Sequence, residues 1–237
     1  MTIAYQDALT TLHYGDCLDV LPTLSPGSID LLLTDPPYGI GYSTGHRRHV
    51  VRSSTRLVND HVVAPLLNDT AAMVAPLLND TAAIYWFAAP KMLDVVMPIV
   101  RTLGELTNVL VWDKGNGTAG DLEATYGQQW EAILFARRAR VRLIGRRDRD
   151  VIPVSRGDSS AYMHPTQKPI TLLRYLICRH TPRLILDPFA GSASTLVAAR
   201  SLGVPSIGIE LDERHVEVAV RRLETYQPAL FAQAGAE

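Results

Sequence analysis

Short, nearly continuous apolar runs punctuate the chain at 11–14 (TLHY), 29–34 (IDLLLT), 83–87 (AIYWF), 107–112 (TNVLVW), 131–136 (EAILFA), 184–187 (LILD) and 206–210 (SIGIE). Runs this short, rich in β-branched and aromatic residues, are expected of strands buried on both faces. Helical periods lie between several of them. Segment 168–181 repeats apolar residues at Ile170, Leu172, Leu173, Leu176 and Ile177, and segment 192–202 follows a glycine-containing turn. Segment 212–226 begins at a candidate N-cap, Asp212, and sets Val216, Val220 and Leu223 on one face. Strands alternating with helices predict an α/β domain built on a seven-stranded, mostly parallel sheet.

Two departures interrupt this rhythm. The decamer VAPLLNDTAA occurs at 63–72 and again at 74–83. Pro76 would break or kink a helix running through both copies, so the tandem copy is expected to lengthen the segment before the third strand rather than to build a solenoid, which needs three or more units. Segments 39–60 and 137–163 lack periodicity, and long irregular connections inside a compact domain tend to be functional or mobile. Residues 1–237 are therefore expected to form one domain with these two segments as candidate ligand-facing loops.

Composition narrows the class. Apolar residues make up 47% and charged residues 20%, which supports a packed core and excludes a mostly disordered chain. No apolar run approaches the roughly 20 residues needed to cross a bilayer, and the N-terminal stretch carries acids without a basic leader. The two cysteines, Cys17 and Cys178, are too few for a Cys-based zinc site and fit a reducing compartment. The expectation is a soluble intracellular protein without a metal. The formal net charge of −1 predicts no polyanionic partner, yet the arginines cluster. Arg47, Arg48, Arg52 and Arg56 share an acid-free stretch, and Arg137, Arg138, Arg140, Arg142, Arg146, Arg147 and Arg149 flank a single acid, Asp148. Such clusters can neutralise phosphates, although a charge run is often only a solvated face.

Four segments carry candidate chemistry. Thr34-Asp35-Pro36-Pro37-Tyr38-Gly39 directly follows the run at 29–33. Its prolines end the strand and fix a rigid loop at a strand's carboxyl end, where open α/β sheets bind ligands. The carboxylate, the carbonyl before a proline and the aromatic ring suit a planar aromatic amine. Leu186-Asp187-Pro188-Phe189-Ala190-Gly191-Ser192-Ala193-Ser194-Thr195 reads as strand, small-residue turn and helix, with Glu210 ending the next strand where it could meet ribose hydroxyls. It lacks the later glycines of the dinucleotide fingerprint. His164-Pro165-Thr166-Gln167-Lys168-Pro169 precedes an amphipathic helix, and Gly15-Asp16-Cys17 follows the first strand, where Asp16 could accept an amine N–H or cap a helix.

Taken in order, TDPPY at 34–38, VLVWDKGNG at 109–117, HPTQKP at 164–169 and LDPFAGSAST at 186–195 resemble the circularly permuted β group of S-adenosylmethionine-dependent amino-DNA methyltransferases. The likeness spans nearly the whole chain. It implies a Rossmann-like methyltransferase fold with permuted motif order, S-adenosylmethionine as cofactor and double-stranded DNA as substrate. The implied reaction methylates an exocyclic amine of a flipped-out base, adenine N6 before cytosine N4, in a bacterial or phage-infected cytoplasm, with restriction-modification as the setting. A catalytically inactive DNA-binding protein is the alternative of a different class. The resemblance further implies that Asp35 and the Pro36 carbonyl, on the loop with Pro37, hold the target amino group and that Tyr38 stacks on the base. Asp16, Cys17, Asp187, Phe189, Gly191, Ser192 and Glu210 would border the cofactor, and Thr166, Gln167 and Lys168 would close its methionine end. Arg47, Arg48, Arg52, Arg137, Arg138, Arg140 and Arg142 would grip DNA, and a homodimer is implied by analogy. The family's Gly-Ser-Gly is here Gly191-Ser192-Ala193, and the added methyl is expected to fit with φ negative.

Overall fold

The structure, a computed structural model, describes residues 1–37, 60–115, 126–139, 141–155 and 167–226. In chain order the strands are β1 (Thr2–Gln6), β2 (Thr10–Tyr14), β3 (Ile29–Thr34), β4 (Leu78–Ala88), β5 (Glu105–Asp113), β6 (Trp130–Arg137), β7 (Val151–Pro153), β8 (Ile185–Asp187) and β9 (Ser206–Glu210). The helices are α1 (Cys17–Val20), α2 (Asp60–Val74), α3 (Leu93–Leu103), α4 (Ile170–Cys178), α5 (Ser194–Ser201) and α6 (Glu213–Thr225). All seven expected strands form, but the sheet of described residues has nine, in the order β1-β2-β9-β8-β3-β4-β6-β5-β7. The two additions sit at its margins. β1 lies on the outside of the sheet with Ile3 exposed, and β7 contributes only Ile152 to the core, so neither has the continuous apolar run that marks a buried strand. Helix α3, also outside the sequence expectation, carries Pro98 in its middle, which disguises its period.

Strand parity builds two layers. Leu32, Ile84, Trp86 and Leu134 face α1, α2 and α3, while Leu31, Leu33, Tyr85, Phe87, Ile133 and Phe135 face α4 and α5. Alternate residues of each central strand thus bury on opposite faces, which is why the runs look continuous. β1 pairs antiparallel to β2 and β6 antiparallel to both β4 and β5; the remaining strand pairs are parallel. The C-termini of β2, β3, β4, β5, β8 and β9 therefore share one edge, the carboxyl edge. No helix among the described residues is long and apolar enough to cross a membrane.

The duplicated decamer takes two conformations. Its first copy lies within α2, burying Val63, Leu67, Thr70 and Ala71 at helical spacing. Its second copy ends that helix at Val74, makes a 3-10 turn over Ala75–Leu77 and enters β4 at Leu78. Asn68 Nδ2 accordingly donates to the Ala64 carbonyl (2.9 Å), one helical turn back, whereas its counterpart Asn79 donates across the sheet to Asp30 Oδ1 (2.8 Å). Pro76 ends the helix, as expected, and the chain beyond it pairs along the flank of β3. The second copy thus supplies the start of the strand rather than only spacing it.

The antiparallel course of β6 corrects the placement of the second arginine cluster. Trp130 begins β6 at the carboxyl edge and Arg137 ends it at the other, opposite Glu105 and Ala83. Arg138 is spent inside the protein: its guanidinium donates to the carbonyls of Leu103 (3.2 Å), Leu78 (2.8 Å) and Ala75 (2.5 Å). Arg137 meets Glu105 at 3.4 Å. Arg142 lies before Ile144, whose N–H bonds the Arg179 carbonyl at the end of α4, on the same far side. All three thus lie away from the carboxyl edge.

Ala193 overturns a second expectation. It is the N-cap of α5 with φ 63° and ψ 32°, the only non-glycine described residue at positive φ. Its methyl is fully buried beside Leu12, Leu196 and Ala219. The left-handed region costs an L-residue about 1–2 kcal/mol, offset here by a buried methyl worth about 0.8 kcal/mol. Gly191, at φ 54°, takes the same region without that cost.

These contacts set expected stabilities. In urea unfolding, Arg138→Ala loses about 2–4 kcal/mol because three inward carbonyls lose charged donors, while Arg137→Ala, at a surface pair, loses less than about 1 kcal/mol. Ala193→Gly stays within about 1 kcal/mol of the parent, strain relief balancing the lost methyl and the looser unfolded chain. Ala198→Gly, inside α5 and equally buried, loses about 1–2 kcal/mol. Equal losses at the two alanines would contradict strain at Ala193.

Candidate active site

Two loop starts meet at the carboxyl edge because β3 and β8 are parallel neighbours. β3 delivers Thr34 and Asp35; β8 delivers Asp187. The Thr34 hydroxyl donates to Asp187 Oδ1 at 3.0 Å, and the same oxygen accepts the Phe189 N–H at 3.2 Å. Asp187 is 2% exposed. Burial pushes its carboxyl up to about 7, opposed by hydrogen bonds from Thr195, the Phe189 N–H and Thr34, with the nearby Asp35 charge adding to the rise. Its side chain is thus occupied in joining the Asp-Pro-Pro corner to the glycine turn.

The turn itself is held from two sides. Glu210 Oε2 accepts the Gly191 N–H at 2.8 Å, while Oε1 accepts from Leu211 (3.0 Å) and Asp212 (2.7 Å). From α6, Arg222 donates to the Ser192 carbonyl, to Ser192 Oγ (2.9 Å) and to Ser194 Oγ (3.2 Å); burial lowers its guanidinium to about 10. A Cβ built on Gly191 would meet nothing within 4 Å, so the space over the turn is open. Phe189 packs partly against the core beside it. On β9, Gly208 lets α5 lie close: a Cβ there would sit 2.6 Å from Leu196.

Asp35 stands against a buried charge network. Lys168 Nζ is 2.6 Å from Asp35 Oδ2 and 3.0 Å from Glu131 Oε2, and Lys114 Nζ is 3.3 Å from Glu131 Oε1. The Lys168 ammonium also lies 5.1 Å from the Phe87 ring centre and 5.8 Å from that of Trp112, within cation–π range. Burial disfavours its charge, but Asp35 and Glu131 outweigh burial and hold the ammonium above the usual lysine range. Lys114, Glu131 and Lys168 are all buried, and Asp35 keeps about a quarter of its side chain exposed. Pro36 is buried and Pro37 half-buried.

The remaining sequence candidates divide. Asp16 caps α1, its Oδ1 accepting the Leu18 N–H at 2.9 Å. The Cys17 thiol is buried 3.6 Å from Thr70 Oγ1, and burial raises it above the usual thiol range, so its side chain belongs to the core. Gln167 Oε1 is buried without a hydrogen-bond partner among the described residues. Tyr38, Arg47, Arg48, Arg52, Arg140 and Thr166 lie outside the described residues. Sequence reasoning missed Glu131, Lys114 and Arg222. Glu131 and Lys114 are charges bordering apolar runs, and Arg222 is flanked on α6 by the buried Ala219 and Leu223. An ionisable residue in an apolar setting is a signal that a partner exists.

Comparison with known proteins agrees with this geometry. The DNA methylase family model, N6_N4_Mtase, matches residues 29–221. The chain is 32% identical over 219 residues to YubD of Escherichia coli (strain K12), covering 91% of each chain. It is 28% identical to the type II methyltransferase M2.DpnII of Streptococcus pneumoniae, covering 90% of this chain and 89% of that one. Among solved structures, M1.HpyAVI in complex with SAM superposes with a TM-score of 0.69 at 23% identity, covering 91% of this chain and 99% of that one. The cytosine-N4-specific PvuII DNA methyltransferase gives 0.75 at 15% identity, over 95% and 91%; these two likenesses speak to the fold. The family match extends from β3 into α6 and takes in both loop starts at the carboxyl edge: the chain belongs to the DNA methylase family.

Proposed function

We propose that this protein is a site-specific DNA methyltransferase that uses S-adenosylmethionine to methylate an exocyclic amino group of an extruded base, with adenine N6 as the favoured target. The observation that carries this is the Thr34–Asp187 hydrogen bond. It ties the oxygen-presenting Asp35-Pro36 corner to the open glycine turn, so that an amine at one and a nucleoside at the other are neighbours. A solved SAM complex among the structural neighbours and a relative named as a type II methyltransferase support the cofactor and the reaction.

The residues at the turn fit that cofactor. Gly191 leaves room for a ligand, Glu210 sets a carboxylate beside it, and the buried Gln167 Oε1 without a partner among the described residues supplies an acceptor. Phe189, Gly191, Ser192 and Glu210 would hold the nucleoside part, with Gln167 toward the other end, while Asp187 acts by fixing the turn. When bound, S-adenosylmethionine supplies an electrophilic methyl group carried on a sulfonium.

Asp35 and the Pro36 carbonyl provide the other half of the chemistry. The lone pair of an aromatic amine is delocalised into its ring and is a poor nucleophile. Oxygen atoms that accept its N–H bonds favour a pyramidal nitrogen and stabilise the positive charge that grows there. The Asp35 carboxylate then takes the proton that the alkylated nitrogen must lose. Tyr38, next in sequence after Pro37, would stack on the base. Extrusion costs a few kcal/mol of stacking and pairing, and Arg47, Arg48 and Arg52, in the segment after this corner, are assigned to the phosphates. Arg138, whose guanidinium donates to the Leu103, Leu78 and Ala75 carbonyls, and Arg137, paired with Glu105, are not assigned to them.

Asp35→Ala is expected to lower single-turnover methylation of duplex DNA by about 10²–10³-fold, with calorimetric affinity for S-adenosylmethionine within about threefold of the parent. A turnover rate near that of the parent would overturn the role given to Asp35.

A further inference from the structure

The Lys168 network has a chemical consequence that rests on the assignment of Asp35 as the acceptor of the amine proton. A lysine whose ammonium contacts two carboxylates and two aromatic rings is held at one point, and four strands converge to hold it there. Phe87 comes from β4, Trp112 from β5, Glu131 from β6, and Asp35 follows β3; Trp112 and Glu131 face each other in register. Burying ions in this way brings little net stability, since desolvation offsets the Coulomb attraction. A pair of cations matched to a pair of carboxylates makes better sense as control over the one member that reaches the surface, Asp35.

We propose that Lys168 is a positioning residue for catalysis, holding Asp35 as a fixed carboxylate through Oδ2 so that Oδ1 meets the target amine, and that Glu131, steadied by Lys114, is the counter-charge that limits Lys168's hold. Without Glu131 the full charge of Lys168 would fall on Asp35 and weaken it as a proton acceptor. Without Lys168, Asp35 would lose the cation in contact with it while the acids Glu131 and Asp187 stay nearby, and would protonate far more readily. Among the described residues, Lys114 at the end of β5, Glu131 of β6 and Asp187 of β8 face the Asp35–Lys168 pair. The proton step is balanced: the amine N–H bond breaks, its electron pair stays on nitrogen, and the proton passes to Asp35 while Lys168 keeps its own. This moves Lys168 from the cofactor-closing role implied by sequence to the substrate half of the site.

The test is single-turnover methylation against pH, with enzyme, DNA and S-adenosylmethionine pre-equilibrated, alongside calorimetric cofactor binding. Between about pH 5.5 and 8.5 the parent sets the reference profile, including the contribution of Asp187, whose carboxyl is pushed up to about 7. Lys168→Met, close in volume and still able to pack on Phe87 and Trp112, should gain an acid limb that loses about tenfold per pH unit below a midpoint within that range, with cofactor affinity within about threefold. Adding Glu131→Gln to Lys168→Met should move that midpoint down by about one pH unit, because a neighbouring negative charge is gone. A Lys168→Met profile that follows the parent's, with weakened cofactor binding, would return Lys168 to the cofactor, and a midpoint indifferent to Glu131→Gln would remove the counter-charge; either result overturns the proposal. Asp35→Ala in the same assay separates the two levels. Normal turnover there defeats the assignment of Asp35 itself, whereas an inactive Asp35→Ala with a Lys168→Met profile that follows the parent's defeats only the network.

Discussion

The hydrogen bond between Thr34 and Asp187 is the contact on which the site depends, and it exists because two strands far apart in sequence run side by side in one direction. Parallel neighbours end at the same edge, so the loops they release start only one strand spacing apart, about 4.8 Å. One loop is stiffened by two prolines and the other turns through two residues at positive φ. A buried carboxyl then bonds the end of the first strand and the first free amide after the second. The Asp-Pro-Pro corner and the glycine turn are in this way parts of one rigid body. Alignment of reactants by such a body is worth up to roughly 7–11 kcal/mol of a bimolecular barrier in favourable cases.

The direction of a single strand decides much of the rest. Because β6 runs against β4 and β5, its first residues arrive at the carboxyl edge and its last leave from the other. Glu131 is thereby brought under Asp35 and Lys168, while Arg137 and Arg138 are carried away from any duplex bound there. The local sequence holds both facts only as the run 130–138, with a carboxylate near one end and two guanidinium groups at the other. Clustered positive charge identifies a surface able to attract phosphates but not where that surface points. Arg138 shows how the inference from charge fails: its donors are consumed by carbonyls at Leu103, Leu78 and Ala75, which need them as much as a phosphate would.

What was legible in the sequence was whatever burial and backbone chemistry stamp on residues locally. Seven strands, the Asp212 cap of α6 and the stop at Pro76 all leave local marks, and the order of the motifs identified the family. The long-range partners were not legible. That Asp16 Oδ1 caps α1 and that the Cys17 thiol is buried could not be read locally, because a carboxylate beside a helix start and a small apolar thiol suit several roles equally well. The sign of φ at Ala193 was misjudged for a related reason: a methyl group says little about the backbone under it until the helix it must start is in place.

The tandem decamer shows the same limit within one molecule. Ten identical residues have identical propensities, yet one copy is helix and the other turn and strand. Position relative to fixed neighbours makes the difference. The first copy lies over β-sheet residues that bury Val63, Leu67 and Ala71 on one helical stripe, whereas the second reaches Pro76 just where β3 has an open flank, and Leu78 pairs with Ile29. Propensity differences of a few tenths of a kcal/mol per residue are overridden by burying side chains worth about 1.5–3 kcal/mol each. The same ordering of magnitudes explains why an ionised lysine can sit beneath the active edge at all. Its local cost is high, and only the tertiary placement of Asp35, Glu131, Phe87 and Trp112 around it makes that position tenable.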